Sequence, residues 1–132
     1  MKKNSACMIH HYSITPRISE TNLGGHIGAV VIPVWFEEAR FAFINETLQG
    51  AGFRHFLVRY EIDFKKEIFY GTVAKIHTFV EKIGSSSITF GQKVIQNGEI
   101  CVVGKTVVVH IDSETRKAKS IPQETIVLLQ SA

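Results

Sequence analysis

The sequence predicts an α+β fold: a curled, mostly antiparallel sheet of about five strands wrapped around one long buried helix, about 31–49. Three observations predict it. The apolar patterns run as one strand, one long helix, then four strands joined by short turns, without the alternating strand–helix rhythm of a parallel sheet. In the helix, Val31, Ile32, Val34, Trp35, Phe36, Ala39, Phe41, Ala42, Phe43, Ile44 and Leu48 surround the axis, and a helix apolar on nearly all sides is a buried one. The dipeptide Asn97-Gly98 between two β-rich runs marks a tight two-residue hairpin, and so antiparallel pairing.

Each element follows in order. Residues 9–18, IHHYSITPRI, mix β-branched and aromatic residues with polar ones and read as a first strand, with Pro16 at an edge or bulge. A turn rich in glycine (Gly24, Gly25, Gly28) leads to the helix, where Pro33 is tolerable only in the first turn. Gly50 and Gly52 stop the helix. FLVRYEIDFKKE (56–67) puts Val58, Tyr60, Ile62 and Phe64 on one face of a strand. Strands are predicted at 69–83, 85–96 and 99–111, a turn at Asp112–Thr115, and a short helix at 121–130 with Pro122 near its start. The 132 residues form a single domain, 1–132, with about the first eight as a flexible lead.

A core of this size needs no staples. Apolar residues make up 45% of the chain and charged residues 20%, with mean hydropathy +0.10, which is a globular profile. Cys7 and Cys101 without a C-x-x-C pattern read as buried or idle thiols of a reducing compartment. The basic start lacks an apolar stretch behind it, and no run approaches the ~18 apolar residues that span a bilayer. A cytoplasmic protein with no membrane partner is expected. The net charge of +3 comes from scattered Lys and Arg in runs no longer than two, which argues against nucleic acid as a partner and suits an anionic ligand. His10 and His11 are adjacent and point to opposite faces of a strand, and His55, His77 and His110 fall in separate elements, so no metal site is expected.

The stretch SETNLGGHIGAVVIPVWFEEAR, from Ser19 to Arg40, carries the strongest signal of chemistry. Glycines let backbone approach a ligand closely. The first N–H groups of a helix lie unpaired at the positive end of its dipole. A carbonyl oxygen set there meets fixed donors, although the same glycines also serve a merely tight connection.

These words, in this architecture, resemble the hotdog fold and specifically the 4-hydroxybenzoyl-coenzyme A thioesterase-like family of acyl-CoA thioesterases. That family's signature reads roughly R-x-x-E-T-D-x-x-G-H-V-N-N-x-x-Y-x-x-x-F-E-x-A-R. The chain has Arg17, Glu20-Thr21, Gly25-His26-Ile27 and Phe36-Glu37-Glu38-Ala39-Arg40 in register without a gap. Tyr60 to Phe64 and Val80 to Ile88 also match, so the resemblance covers about residues 10–125. Two departures stand out: Asn22 replaces the family aspartate, and Gly28 and Ala29 replace the paired asparagines.

The resemblance implies hydrolysis of an acyl- or aryl-coenzyme A to free acid and coenzyme A. No cofactor is required, since coenzyme A belongs to the substrate. The oxyanion donor is the Ala29 N–H. Asn22 cannot be a base, because an amide only donates and accepts hydrogen bonds. In another hotdog branch, the phenylacetyl-CoA and human-type acyl-CoA thioesterases, an asparagine in this turn works with an acid fifteen positions later on the helix, which here is Glu37. A carboxylate on an apolar helix is partly desolvated, which moves it toward a useful pKa. Glu37 otherwise pairs with Arg40 or with an arginine elsewhere at the helix edge, and Glu38 is the rival acid. His26 bonds the ligand, caps the helix or orients a carboxylate. Gly25 and Gly28 allow the ligand's approach. Lys82, Gly84, Ser85, Ser86 and Ser87 border the coenzyme A channel, or else form a polar turn. Sites are shared between subunits of a homodimer or dimer of dimers. The alternative function is a non-catalytic module that binds acyl-CoA or an acyl carrier protein.

Overall fold

Alternating burial marks the first element: β1 spans His10–Ile14, with His10, Tyr12 and Ile14 turned inward. The computed structural model describes residues 8–49 and 53–131; Cys7, most of the expected flexible lead and the expected helix stops Gly50 and Gly52 lie outside them. Pro16 falls beyond β1 rather than within it, since a residue without N–H cannot extend the ladder. Short 3₁₀ turns at Ile18–Glu20 and Ala29–Val31 flank the glycine turn, and helix α1 runs Ile32–Leu48 with Pro33 in its first turn. It ends at Gln49, left-handed at φ 44°, whose N–H reaches the Asn45 carbonyl.

The strands His55–Phe64 (β2), Ala74–Ile83 (β3), Ser87–Gln96 (β4) and Glu99–His110 (β5) join β1 in one antiparallel sheet, ordered β1-β3-β4-β5-β2. Asn97 and Gly98 both take positive φ, 54° and 76°, as the tightest hairpin turn demands. Helix α2, Gln123–Ser131, buries Thr125 and Leu129. The sheet grips α1 through contacts that admit little change. A Cβ on Gly104 would stand 2.6 Å from the Phe36 ring, so only glycine lets Phe36 sit against β5. Trp35, Phe36, Ala39, Ile76, Val94 and Val102 pack there, and Phe43, Leu48, Ile88, Phe90, Val108 and Leu129 form a second cluster.

Three expectations are corrected. The helix is not buried on all sides: Val34, Glu37, Glu38, Phe41 and Asn45 form an open stripe, because the five strands cover only part of the helix circumference. The face predicted for β2 breaks at Val58, where a bulge shifts the register; Leu57 points in before it and Tyr60 after it, leaving Phe56, Val58 and Phe64 exposed. The third strand begins at Ala74, not 69. The buried Gln96 side chain takes the Phe69 N–H and donates to the Phe69 and Thr72 carbonyls at 2.9–3.0 Å, which holds 69–72 as a turn.

Candidate active site

The glycine turn folds on its own backbone. Asn22 N–H donates to the His26 carbonyl at 2.8 Å, and Gly25 N–H to the Asn22 carbonyl at 3.1 Å. Asn22 Oδ1 accepts the Gly24 N–H at 3.0 Å. The amide oxygen is therefore spent on the turn, and the side-chain NH₂ remains to donate outward. Gly25 sits at φ 80°, where a side chain is strained. Gly28, at φ −64°, is demanded by neither angle nor space, since a Cβ there would meet only the Glu20 carbonyl at 3.7 Å. Its N–H donates to that carbonyl at 2.9 Å. The Glu20 carboxylate meanwhile takes the Arg17 N–H at 2.7 Å and the Trp35 indole N–H at 2.9 Å, which ties the turn to α1.

Asn22, His26 and Ala29 line one cavity of about 360 Å³, with Ile27, Ile32 and the segment Phe64–Ile68 as its other walls. Ile27 N–H donates to the Ile68 carbonyl at 2.8 Å and so fastens the two walls together. Ala29 opens the 3₁₀ turn, and its N–H has no acceptor among the described residues. Orphan donors of this kind at a helical start favour an oxygen bearing negative charge. His26 lies edge-on to Phe69, with ring centres 4.9 Å apart, and its Nδ1 is 2.5 Å from Glu67 Oε2. Lys66 pairs with Glu99 at 2.6 Å, which raises its pKa. Lys65 has no ion-pair partner among the described residues.

Other expected residues fall elsewhere. Glu37 lines a separate cavity of about 160 Å³ with Arg40, Phe41, His55, Phe56, Leu57 and Val108, so one chain does not bring it beside Asn22. No ion pair joins it to Arg40. Arg40 is buried, with its charge over the Tyr60 ring and long bonds to Tyr60 Oη (3.3 Å) and Gln92 Oε1 (3.5 Å), and its Nε has no partner. Glu38 accepts the Tyr12 hydroxyl at 2.5 Å, which raises the phenol's pKa. Lys82, Gly84, Ser85, Ser86 and Ser87 sit at the far end of β3 and β4 from the cavity lined by Asn22. There the carbonyls of Ser85, Ser86 and Ser87 accept from Ile121, His110 and Gly84 at 2.7–2.9 Å, so within one chain the segment is a polar turn.

The sequence profile of the Thioesterase-like superfamily matches residues 16–129. The chain belongs to that superfamily. A structure described as a predicted thioesterase from Bacillus stearothermophilus is 32% identical and superposes with a TM-score of 0.87, over 93% of this chain and 95% of that one. A DHNA-CoA thioesterase from Staphylococcus aureus is 24% identical, with a TM-score of 0.82 over 93% and 91%. A thioesterase of Thermus thermophilus complexed with coenzyme A and Zn is 19% identical, with a TM-score of 0.83 over 92% and 91%. The latter two share the fold, which is the hotdog fold. Among the described residues of this thioesterase-like chain no helix is long and apolar enough to cross a membrane.

Sequence reasoning passes over several residues of this thioesterase-like site. Glu20 appears in it only as a signature letter, yet its carboxylate and carbonyl accept three bonds that shape the turn. Lys65, Lys66 and Glu67 lie far from the turn in sequence, and nothing local marks them. The only available hint is the charged triplet closing the FLVRYEIDFKKE run, which breaks its alternation.

Proposed function

We propose that this chain hydrolyses the thioester of an acyl- or aryl-coenzyme A to free acid and coenzyme A, with coenzyme A entering as part of the substrate. The observation that carries this reading is the unspent Ala29 N–H in the cavity that also holds Asn22 and His26. A thioester carbonyl oxygen bonded there develops its negative charge against a fixed donor, and loss of one such donor costs about 10²–10³ in rate. The Asn22 NH₂ adds a second donor. Lys65 at the rim suits the coenzyme's phosphates. The crystallised relative that holds coenzyme A supports this choice of ligand.

A second reading supplies Glu37 as the base from another copy of the chain. It is favoured by the exposed Phe56, Val58 and Phe64 on the edge strand β2, beside the exposed Val34 and Phe41 of α1. An unpaired apolar strand edge favours strand addition by a second copy. In such a homodimer, or dimer of dimers, each site joins one copy's Asn22 to the other's Glu37, and the Lys82–Ser87 segment of the second copy reaches the nucleotide end.

The test is a panel of acyl- and aryl-coenzyme A thioesters with wild type, Asn22→Ala and Glu37→Ala. Hydrolysis of at least one panel member, lowered by Asn22→Ala, is expected. Tight binding without turnover would instead mark a binding module. For the shared site, the two variants are mixed under subunit exchange. Recovered activity supports Glu37 in trans, and its absence removes that role.

A further inference from the structure

Resting on the thioesterase reading, we propose that His26, aligned by Glu67, is the base that activates water in this site, and that the chain thereby supplies in one copy what the aspartate-to-asparagine departure at position 22 removed. His26 Nδ1 is 2.5 Å from Glu67 Oε2. With its proton on Nδ1, toward that carboxylate, the imidazole keeps the Nε2 lone pair free. Nε2 has no hydrogen-bond partner among the described residues, and His26 lines the same cavity as Asn22 and the open Ala29 N–H.

The ring has Glu67 beside one nitrogen and Phe69 edge-on at 4.9 Å, and the backbones of residues 26 and 69 pair as an isolated bridge. Gly24 borders the ring: a Cβ there would reach Nδ1 at 3.6 Å. The logic matches any base oriented by a third group. Other charged groups lining the cavity are Lys65 and Lys66, and Lys66 is already paired with Glu99.

The step balances without a co-reactant. Water attacks the thioester carbon while giving a proton to Nε2, and the carbonyl oxygen takes up charge against the Ala29 N–H. The intermediate then collapses with cleavage of the C–S bond. The departing sulfur takes the proton back from Nε2, leaving coenzyme A as a thiol and the acyl group as an acid. Glu67 is a positioning residue; it does not touch the substrate.

The test uses full-length Glu67→Ala, Glu67→Gln and His26→Gln beside wild type. Glu67 is exposed, so its variants are expected to fold as wild type does. His26→Gln is expected to lower kcat by about 10²–10⁴, the usual worth of a general base. Glu67→Ala is expected to lower kcat by about 10-fold or more with little change in KM, and Glu67→Gln to retain more activity because its amide oxygen still accepts. Nitrogen-15 NMR of the histidines gives a readout independent of turnover: wild-type His26 is expected as the Nδ1–H tautomer, shifting toward Nε2–H in Glu67→Ala. An unchanged tautomer in Glu67→Ala overturns the proposal. So does full kcat in His26→Gln, and so does a loss confined to Glu37→Ala, and in both of these the thioesterase reading stands. Failure of wild type to turn over any thioester overturns the thioesterase reading itself, while the tautomer shift still reports whether Glu67 orients His26.

Discussion

Trp35 donates its indole N–H to the Glu20 carboxylate at 2.9 Å, so the first turn of α1 is bound to the chain segment that precedes the glycine turn. Trp35 is only 2% exposed, and Glu20 also anchors the Arg17 N–H. Glu20→Ala strands a buried donor, and we expect a loss of about 1–3 kcal/mol. Urea denaturation measures this. As Trp35 is the single tryptophan, its fluorescence in the native baseline also reports the released indole.

Ala29→Pro removes one N–H at small structural cost. The residue opens a helical turn, a position proline tolerates, and Gly28 before it is extended at φ −64° and ψ 144°, which proline also accepts. We expect an unchanged circular dichroism spectrum and melting curve, with kcat on the best thioester reduced about 10²–10³-fold. Unaltered kcat would remove the oxyanion role of this amide.

Gly104→Ala drives a methyl to 2.6 Å from the Phe36 ring and 3.2 Å from the Glu61 carbonyl. Phe36 is fully buried and has nowhere to go. Overpacking of this kind costs about 1–3 kcal/mol. Adding Phe36→Leu to Gly104→Ala is expected to return part of the loss, as a positive coupling in a double-mutant cycle.

Stability is expected to fall as pH drops below about 6.5, the ordinary histidine value. Burial pushes His55 below that value; Arg40 and His110 act with it, while the Phe53 carbonyl and Glu37 oppose it. Burial, with His11, Lys93 and Lys75, does the same to His77. With folded pKa values below the unfolded ones, the unfolded chain binds more protons in that window. Their contribution is full above the unfolded pKa and is lost as pH falls through the folded one. Urea midpoints at about pH 7.5 and about pH 5.5 measure this, and His55→Gln is expected to flatten the difference.

The fold was legible in the sequence where local chemistry decides it. Asn97-Gly98 fixes its hairpin through two residues at positive φ, and Pro33 marks the first turn of α1. The bulge at Val58 was not legible, because β5 sets that register from across the sheet. Residues 69–73 carry strand-forming side chains, yet Gln96 captures them as a turn from the end of another strand. Within the site, the Gly25-His26 pair and the open Ala29 N–H follow from the motif alone. Glu67 beside His26 does not, since contacts between segments distant in sequence, among them the Ile27–Ile68 backbone bond, bring them together. The open stripe on α1 looked like core because hydrophobicity alone does not say which side of a helix a sheet of five strands leaves uncovered.

Gln96 gives the wall beside His26 an unusual tempo. Surface turns ordinarily fluctuate in nanoseconds to microseconds, and their amides exchange with solvent through small local openings. The Phe69 N–H, however, is held by a buried amide rooted in β4, one of the inner strands of the sheet. Its release requires the Gln96 amide to leave its buried position at the end of that strand. Exchange of the Phe69 N–H is therefore expected to be slower than that of an ordinary surface-turn amide.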